Sequence, residues 1–329
     1  MTVLVTGGAG YIGSHMVLAL VDAGRDVVVL DNLSTGFPWM VHPKAQFVKG
    51  DIGDEGLVSE IIRDYCLDAI VHFAGSIVVP DSVTDPLGYY YNNTVKSRAL
   101  ISAAVKNNIS NFIFSSTAAV YGDAKESPIV ETAMLNPVSP YGTSKLMTEL
   151  MLRDTAAAHQ MRYVALRYFN VAGADPQCRS GQSSQRATHL IKVATQAALG
   201  GRNGIDVFGT DYPTPDGTCL RDYIHVSDLA NAHMLALDYL RYGGESTVMN
   251  CGYGMGYSVL EVIEAVKRVS GVDFETRLSD RRAGDPATLI AAADRIRNTL
   301  GWEPTLDDLE TIITHALAWE ASLKTRNAA

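Results

Sequence analysis

Tyr141 and Lys145 stand four residues apart in Ser139-Pro-Tyr-Gly-Thr-Ser-Lys145. On a helix that spacing places a phenol and an ammonium on one face. The positive charge favours the phenolate, so a group that ordinarily titrates near ~10 is drawn toward neutrality. Such a phenol can accept the proton of an alcohol that is losing hydride. The spacing is common by itself and gains weight from a second motif. Near the start of the chain, Val3-Leu-Val5 leads into Thr6-Gly-Gly-Ala-Gly-Tyr-Ile-Gly13. Gly8, Gly10 and Gly13 form a G-x-G-x-x-G turn between a strand and a helix, where pyrophosphate can rest on the helix N-terminus.

Asp31 closes the next apolar run, Asp26–Asp31, about 20 residues further on. Its carboxylate can hold both hydroxyls of a ribose and would repel a 2′-phosphate. No Arg or Lys occurs in Asn32-Leu-Ser-Thr-Gly36, so NAD is expected over NADP. Asp51, after Phe47-Val-Lys-Gly50, is placed to reach an adenine amino group, although an ordinary strand-end Asp would read the same. Thr117, in Phe114-Ser-Ser-Thr-Ala-Ala-Val-Tyr-Gly122, can relay a proton to Tyr141; a plain strand-to-loop transition also carries such hydroxyls.

These side chains need a scaffold. Runs at Val3–Val5, Asp26–Leu30, Gln46–Lys49, Ala69–Phe73, Asn111–Ser115 and Tyr163–Arg167 read as strands bounded by Gly, Asp or Asn. Helical periodicity fills Gly13–Ala23, Glu55–Tyr65, Leu87–Asn107 and Tyr141–His159 between them. The alternation predicts an α/β fold, a Rossmann-type doubly wound parallel sheet, over residues 1–171. Beyond Asn170 the rhythm changes: a polar loop at Asp175–Arg186, a helix at Thr188–Leu199, and a Gly-, Pro- and Asp-rich loop at Gly200–Thr218. Helices near Ser258–Ser270, Asp294–Leu300 and Leu306–Ser322 complete a smaller α/β substrate-binding lobe over 172–329. Segments near 224–250 are expected to return to the first domain.

The 329 residues allow two domains, and an apolar content of 47% supports a sizeable core. A net charge of −9 disfavours nucleic acid or an anionic membrane as partner, while local Arg-bearing loops remain free to grip a small anion. Cys66, Cys178, Cys219 and Cys251 are scattered without a C-x-x-C or a Cys/His cluster, which points to free thiols and no metal. The apolar start runs straight into the glycines, and no apolar run approaches membrane-spanning length. A soluble, cytoplasmic protein is the expectation.

Taken together, the glycine turn, the hydroxyl run and Tyr-x-x-x-Lys resemble the extended short-chain dehydrogenase/reductase superfamily, essentially end to end. Within it the chain resembles most the UDP-glucose (UDP-galactose) 4-epimerases. The resemblance is carried by Val71-His-Phe-Ala-Gly75, Tyr90-Tyr-Asn-Asn93, Phe114–Gly122, Ser139–Lys145, Arg167-Tyr-Phe-Asn170 and Thr188-His-Leu190. More specific still are Phe208–Val226, with its Thr-Cys-Leu-Arg-Asp-Tyr core, and Arg281-Arg-Ala-Gly-Asp285.

The resemblance implies that Tyr141 is the proton acceptor, that Lys145 lowers its pKa and holds the nicotinamide ribose, and that Thr117 takes the place of the family's proton-shuttling serine. The extra methyl of Thr stiffens χ1 and keeps the hydroxyl. Retained NAD would take hydride from sugar C4 and return it to the other face. Its adenosine half is expected over Gly7, Gly10, Tyr11, Ile12, Gly13, Asp31, Asn32, Leu33, Ser34, Thr35, Gly36, Asp51 and Ile52. Its nicotinamide half is expected near Phe73, Ala74, Gly75, Asn92, Thr117, Tyr141, Lys145 and Phe169. Ile77 stands where some members carry a phosphate-binding Lys, so that contact must be absent or supplied elsewhere.

For a UDP-sugar, Arg221 and Arg282 are the diphosphate partners the resemblance implies, since a guanidinium offers two parallel donors; pairing with Asp222 or Asp285 is the alternative. Asn170, His189, Leu190, Phe208 and Asp285 correspond to positions around sugar and uridine, and Leu289 to the position that gates an N-acetyl group. Leu is intermediate in size there, which leaves the N-acetylated sugars open. Homodimers joined through the helices at Leu87–Asn107 and Tyr141–His159 are also implied. A 4,6-dehydratase or decarboxylase shares fold and motifs but needs acids where Ala118 and Ala119 stand. A net dehydrogenase or a non-catalytic NAD-binding protein are the further alternatives, the latter having no need of Tyr141 and Lys145.

Overall fold

The computed structural model describes residues 1–184, 188–282 and 285–326, with the side chains of 324–326 left aside. In chain order the first part runs β1 (Thr2–Thr6), α1 (Tyr11–Asp22), β2 (Asp26–Asp31), β3 (Gln46–Lys49), α2 (Glu55–Asp64), β4 (Ala69–His72), α3 (Val79–Thr84), α4 (Pro86–Tyr89), α5 (Lys96–Lys106), β5 (Asn111–Ser115), α6 (Pro140–Ala158) and β6 (Arg162–Tyr168). The second part adds β7 (Asn170–Ala172), α7 (Leu190–Ala198), β8 (Ile205–Phe208), β9 (Leu220–Arg221), β10 (Tyr223–His225), α8 (Val226–Arg241), β11 (Thr247–Cys251), β12 (Tyr257–Ser258), α9 (Val259–Ser270), β13 (Thr276–Ser279), β14 (Thr288–Leu289), α10 (Asp294–Leu300) and α11 (Leu309–Arg326).

Seven strands form one parallel sheet in the order β11-β6-β5-β4-β1-β2-β3. The order reverses between β1 and β4, and a crevice opens beyond the strand ends at such a switch point. Alternate side chains explain why the strands read as unbroken apolar runs. Val3, Val5, Val27 and Val29 enter the core shared with α1 and α8, while Leu4, Val28, Leu30 and Ile70 enter the core under α2 and α5. Both faces are buried, so neither can be polar. α8 lies against α1, β5 and β6, and β11 extends the sheet beside β6. The remaining strands form small sheets of two or three, β8 with β13, β7 with β10, and β9 between β12 and β14.

Two differences from the expected elements matter for the site. The helix expected over Leu87–Asn107 is three pieces: α4, a π-helical stretch at Tyr90–Val95, and α5. Periodicity registers that a segment is helical and says little about which carbonyl each N–H meets, so one inserted residue escapes it. The short α3, preceding it, was not foreseen. Of the polar loop expected at Asp175–Arg186, Gln185 and Arg186 lie outside the described residues, as do Ala283 and Gly284 of the Arg281–Asp285 motif.

Candidate active site

One cleft of about 1670 Å³ runs from the β1–α1 turn to the loops that carry Arg221 and Arg282. The glycine turn forms its floor. Gly7 adopts φ +71°, and a Cβ there would lie 2.7 Å from the backbone N of Ala74, so only glycine lets the turn touch the end of β4. A Cβ on Gly13 would lie 2.2 Å from the Gly7 carbonyl oxygen, which keeps the first turn of α1 drawn down on the loop. The N-cap of α1 is Gly10, whose missing side chain leaves the first-turn N–H groups open, and no acid stands in that turn. The positive end of the helix therefore faces the cleft ready for an anion.

Asp31, at the end of β2, is buried and accepts from Ala9 N at 3.0 Å and Leu33 N at 2.8 Å. Each oxygen keeps a further lone pair, the number two vicinal hydroxyls require. Beside the switch point His72 bridges the two halves of the sheet, pairing through Nδ1 with Thr6 Oγ1 at 2.7 Å and through Nε2 with Ser97 Oγ at 2.8 Å. Burial, with a smaller contribution from Lys145, pushes its pKa down to about 3, so it is a neutral strut.

Ser139 caps α6 by accepting from Gly142 N at 3.2 Å, and Pro140 occupies the first turn. That start puts Tyr141 and Lys145 at the cleft. Thr117 caps the short 3₁₀ turn at Ala118–Val120, its Oγ1 accepting from Ala119 N at 3.1 Å. With that lone pair engaged, its hydroxyl hydrogen is free to donate toward the Tyr141 phenol, whose pKa it draws down. Lys145 Nζ donates to the Ser115 carbonyl at 3.0 Å and lies 5.0 Å from the centre of the Phe114 ring.

In the protein alone burial holds the Tyr141 phenol above its ordinary pKa, with Thr117 pulling it partly back. Lys145 is itself desolvated, so burial brings its pKa down to about 8 against a smaller upward pull from Glu149.

Behind these residues lies a buried ionic cluster that sequence reasoning missed. Glu149, one turn beyond Lys145, receives Arg167 Nη2 at 2.6 Å and Nε at 3.0 Å, and Ser116 Oγ at 2.5 Å. Arg167 Nη1 donates to Tyr121 OH at 3.0 Å, and Tyr121 OH donates to Asn250 Oδ1 at 2.6 Å. The i+4 step from Lys145 to Glu149 was the available signal, since it places the carboxylate on the same face.

At the other end of the cleft Arg282 lays its guanidinium 3.7 Å from the centre of the Phe208 ring. Arg221 donates through Nη1 to the Pro286 carbonyl at 2.8 Å and stands 3.8 Å from Asp285, a loose pair that leaves part of its donor fork unused. Asp222 is no partner for it: buried, it accepts from the backbone N–H groups of Tyr253, Gly254 and Ala291 at 2.9–3.1 Å. His189 is half-buried, desolvation lowers its pKa, and its Nδ1 lies 2.6 Å from Gln182 Nε2. No cluster of potential metal ligands occurs among the described residues.

Nearly every residue singled out in the sequence lines this one cleft, including Phe73, Asn92, Phe169, Asn170, Leu190 and Leu289. Gly8, Leu33 and Gly36 do not. Leu33 adopts φ 60° to close the turn after Asp31, and Gly36 packs against Ala9, where a Cβ would come within 2.8 Å. Lys96, Tyr168, Cys219 and Tyr223 line the cleft without having been foreseen. Lys96, Tyr168 and Tyr223 reach it from a helix or strand, and Cys219 from the loop before β9.

Residues 3–252 match the family model of the NAD dependent epimerase/dehydratase family. The chain belongs to that family. Among curated members it is 58% identical over 322 residues to the UDP-glucose 4-epimerase of Azospirillum brasilense, covering 98% of this chain and 92% of that protein. Its fold superimposes on the crystal structure of UDP-glucose 4-epimerase from Brucella ovis in complex with NAD at a TM-score of 0.94, with 44% identity over 96% of this chain and 97% of the other. The UDP-Glc/GlcNAc 4-epimerase of Campylobacter jejuni is similar at 48% identity and a TM-score of 0.86, covering 98% and 99% of the two chains. Membership of the epimerase/dehydratase family accounts for the glycine turn, Asp31 and the Tyr141–Lys145 helix occurring together on one crevice.

Proposed function

We propose that the protein interconverts UDP-glucose and UDP-galactose by transient oxidation at sugar C4, with NAD retained through turnover. The observation that carries this reading is the position of Thr117, Tyr141 and Lys145 in one continuous cleft, between a glycine-floored dinucleotide cradle and an arginine-bearing anion end. The cradle suits NAD: the first turn of α1 takes pyrophosphate, and Asp31 has acceptors for the ribose hydroxyls and no donor for a 2′-phosphate.

Bound NAD supplies a hydride acceptor and then a hydride donor at C4, and its oxidised ring brings a positive charge to the site. Tyr141 Oη takes the proton of the sugar 4-hydroxyl as the 4-keto sugar forms, and gives it back once the sugar has presented its opposite face. Thr117 Oγ1, anchored by Ala119 N, donates to the phenolate oxygen and lowers the cost of that charge. Lys145 Nζ, positioned by the Ser115 carbonyl, holds the nicotinamide ribose. Arg221 and Arg282 take the diphosphate, with Phe208 supporting the Arg282 guanidinium, and residues 172–329 apart from about 224–250 serve as the sugar-nucleotide lobe. Ala118 and Ala119 offer no acid, which disfavours dehydration.

Leu289 lines the cleft and is intermediate in size, and the similarity to an enzyme titled UDP-Glc/GlcNAc 4-epimerase favours activity on UDP-GlcNAc and UDP-GalNAc as well. Refusal of both acetylated sugars would remove this breadth. Exposed Val83, Leu87, Tyr91 and Val95, near exposed Met147 and Leu150 of α6, suit a homodimer joined through these helices. Sedimentation of the wild type against Leu87→Glu tests it. Four free cysteines, Cys66 among them exposed, fit a reducing cytoplasm, and no helix among the described residues is long and apolar enough to cross a membrane.

The decisive assay incubates the purified protein with UDP-galactose and follows UDP-glucose through a coupled dehydrogenase, then identifies the nucleotide released on denaturation. UDP-glucose formation with retained NAD is expected. Accumulation of free NADH instead would replace epimerisation with net oxidation.

A further inference from the structure

At the adenosine end of the cleft, a carboxylate is tied down more tightly than its partial exposure requires. An ionised carboxyl offers about four lone-pair sites. Asp51 uses three within the protein: Oδ1 accepts from Gly53 N at 2.8 Å, and Oδ2 accepts from Asn32 Nδ2 at 3.1 Å and from Lys96 Nζ at 2.6 Å. The remaining site is on Oδ1. Burial raises the Asp51 pKa, and the bonds from Lys96, Gly53 and Asn32 more than offset it, so the group stays ionised.

Lys96 is the member of this set with no local reason to be there. It opens α5, 45 residues from Asp51, and its side chain is only 18% exposed. Its stem crosses Gly53 so closely that a Cβ on that glycine would lie 2.9 Å from Lys96 Cγ, and its ammonium stands 5.6 Å from the centre of the Tyr91 ring. Asn32, Asp51 and Lys96 all line the cleft.

We propose that Lys96 is a positioning residue that fixes Asp51 through Oδ2, leaving Oδ1 as a single oriented acceptor for the exocyclic amino group of the cofactor's purine. The cleft thereby selects adenine over a purine that bears a carbonyl at the same place. A carbonyl oxygen there brings a second acceptor against Asp51, whereas an amino group donates to it. This inference rests on the NAD reading above, and its test separates the two.

Holoprotein is incubated with equal excess concentrations of NAD and nicotinamide hypoxanthine dinucleotide until the bound ratio is constant, then desalted, denatured and assayed chromatographically. One charge-assisted hydrogen bond corresponds to a preference for NAD of about tenfold in the wild type. In Lys96→Met the preference falls to within about threefold of parity, and Lys96→Gln, which keeps a polar head without the charge, falls in the same direction. A folded Lys96 variant that keeps the wild-type ratio overturns the role of Lys96 and leaves the NAD reading standing. A wild type that binds both dinucleotides equally does the same. A wild type that carries neither overturns both.

Discussion

Replacing Arg167 by Met tests how much the hidden ionic cluster behind Lys145 contributes. Arg167 and Glu149 are exposed by only 5% and 4%, and their contact is two-pronged. Methionine fills much of the arginine's volume and leaves Glu149 with Ser116 as its sole hydrogen-bond donor of those present now. Tyr121 keeps its bond to Asn250, while the Tyr121 oxygen and the Glu131 carbonyl each lose the donor Nη1, and the stranded carboxylate carries the largest cost. Stranding a buried charge in this way costs about 3–5 kcal/mol. At roughly 2 °C per kcal/mol for a chain of this length, the melting midpoint drops by about 6–10 °C. The double variant Arg167→Met/Glu149→Leu removes both charges and should recover to within about 1 kcal/mol of wild type, because an apolar pair of similar volume replaces a desolvated one. Urea midpoints with unchanged slopes measure all three proteins. A single-variant loss below about 1 kcal/mol, or a double variant no better than the single, would show that the pair does not carry the energy its burial implies.

The Thr117 relay predicts that Thr117→Val, which keeps shape and loses the hydroxyl, lowers kcat by about 100-fold or more with little change in KM, while Thr117→Ser stays within about tenfold. Equal kcat for Val and Thr would remove Thr117 from the proton path. Lys145→Met should raise stability while ending turnover. The drop of the Lys145 pKa from 10.5 to about 8 means that the charged amine below that pH costs up to about 3 kcal/mol, at about 1.4 kcal/mol per pH unit. A melting midpoint lower than wild type would refute that sign. The buried histidines make the fold acid-sensitive: His15 and His233 are pushed down to about 4, and His72 and His225 to about 3, burial being the main cause in each. Below about pH 6.5 the unfolded chain binds protons that the folded one refuses, so stability falls on acidification by up to about 1.4 kcal/mol per pH unit for each group. A urea midpoint that stays flat between about pH 6.5 and 4.5 would exclude this contribution.

The sheet was legible because its physics is local. A strand buried on both faces must be apolar throughout, and Asp26–Asp31 or Asn111–Ser115 announces itself between turn-forming residues. The same holds for site residues fixed by spacing along one element: the glycines of the first turn, Asp31 at a strand end, Tyr141 and Lys145 on one helical face. Relationships that only the tertiary fold creates were not legible. Lys96 and Asp51 meet across 45 residues of sequence. Asp222, adjacent to Arg221 and an obvious ion-pair candidate, instead binds backbone N–H groups from two distant loops. The electrostatics of Tyr141 shows the same limit: spacing puts a lysine nearby, whereas the burial that raises the phenol is a property of the whole fold.

The π-helical stretch at Tyr90–Val95 has a consequence for how this region can change. A π turn holds one residue more than the α-helix that flanks it. Asn93 within it donates to the Ser76 carbonyl and to Ser144, and accepts from Ser76 N, so the widened turn is fastened to both the β4 end and α6. Removing a single residue from this stretch would let the turn close to α form while α5 keeps its phase, because the turn sheds its extra residue and not its rotation. Lys96 would still face Asp51 and Leu100 the core, and the loss would fall on the bonds that Asn93 makes. A deletion inside α5 has no such slack and would turn everything beyond it by roughly 100°.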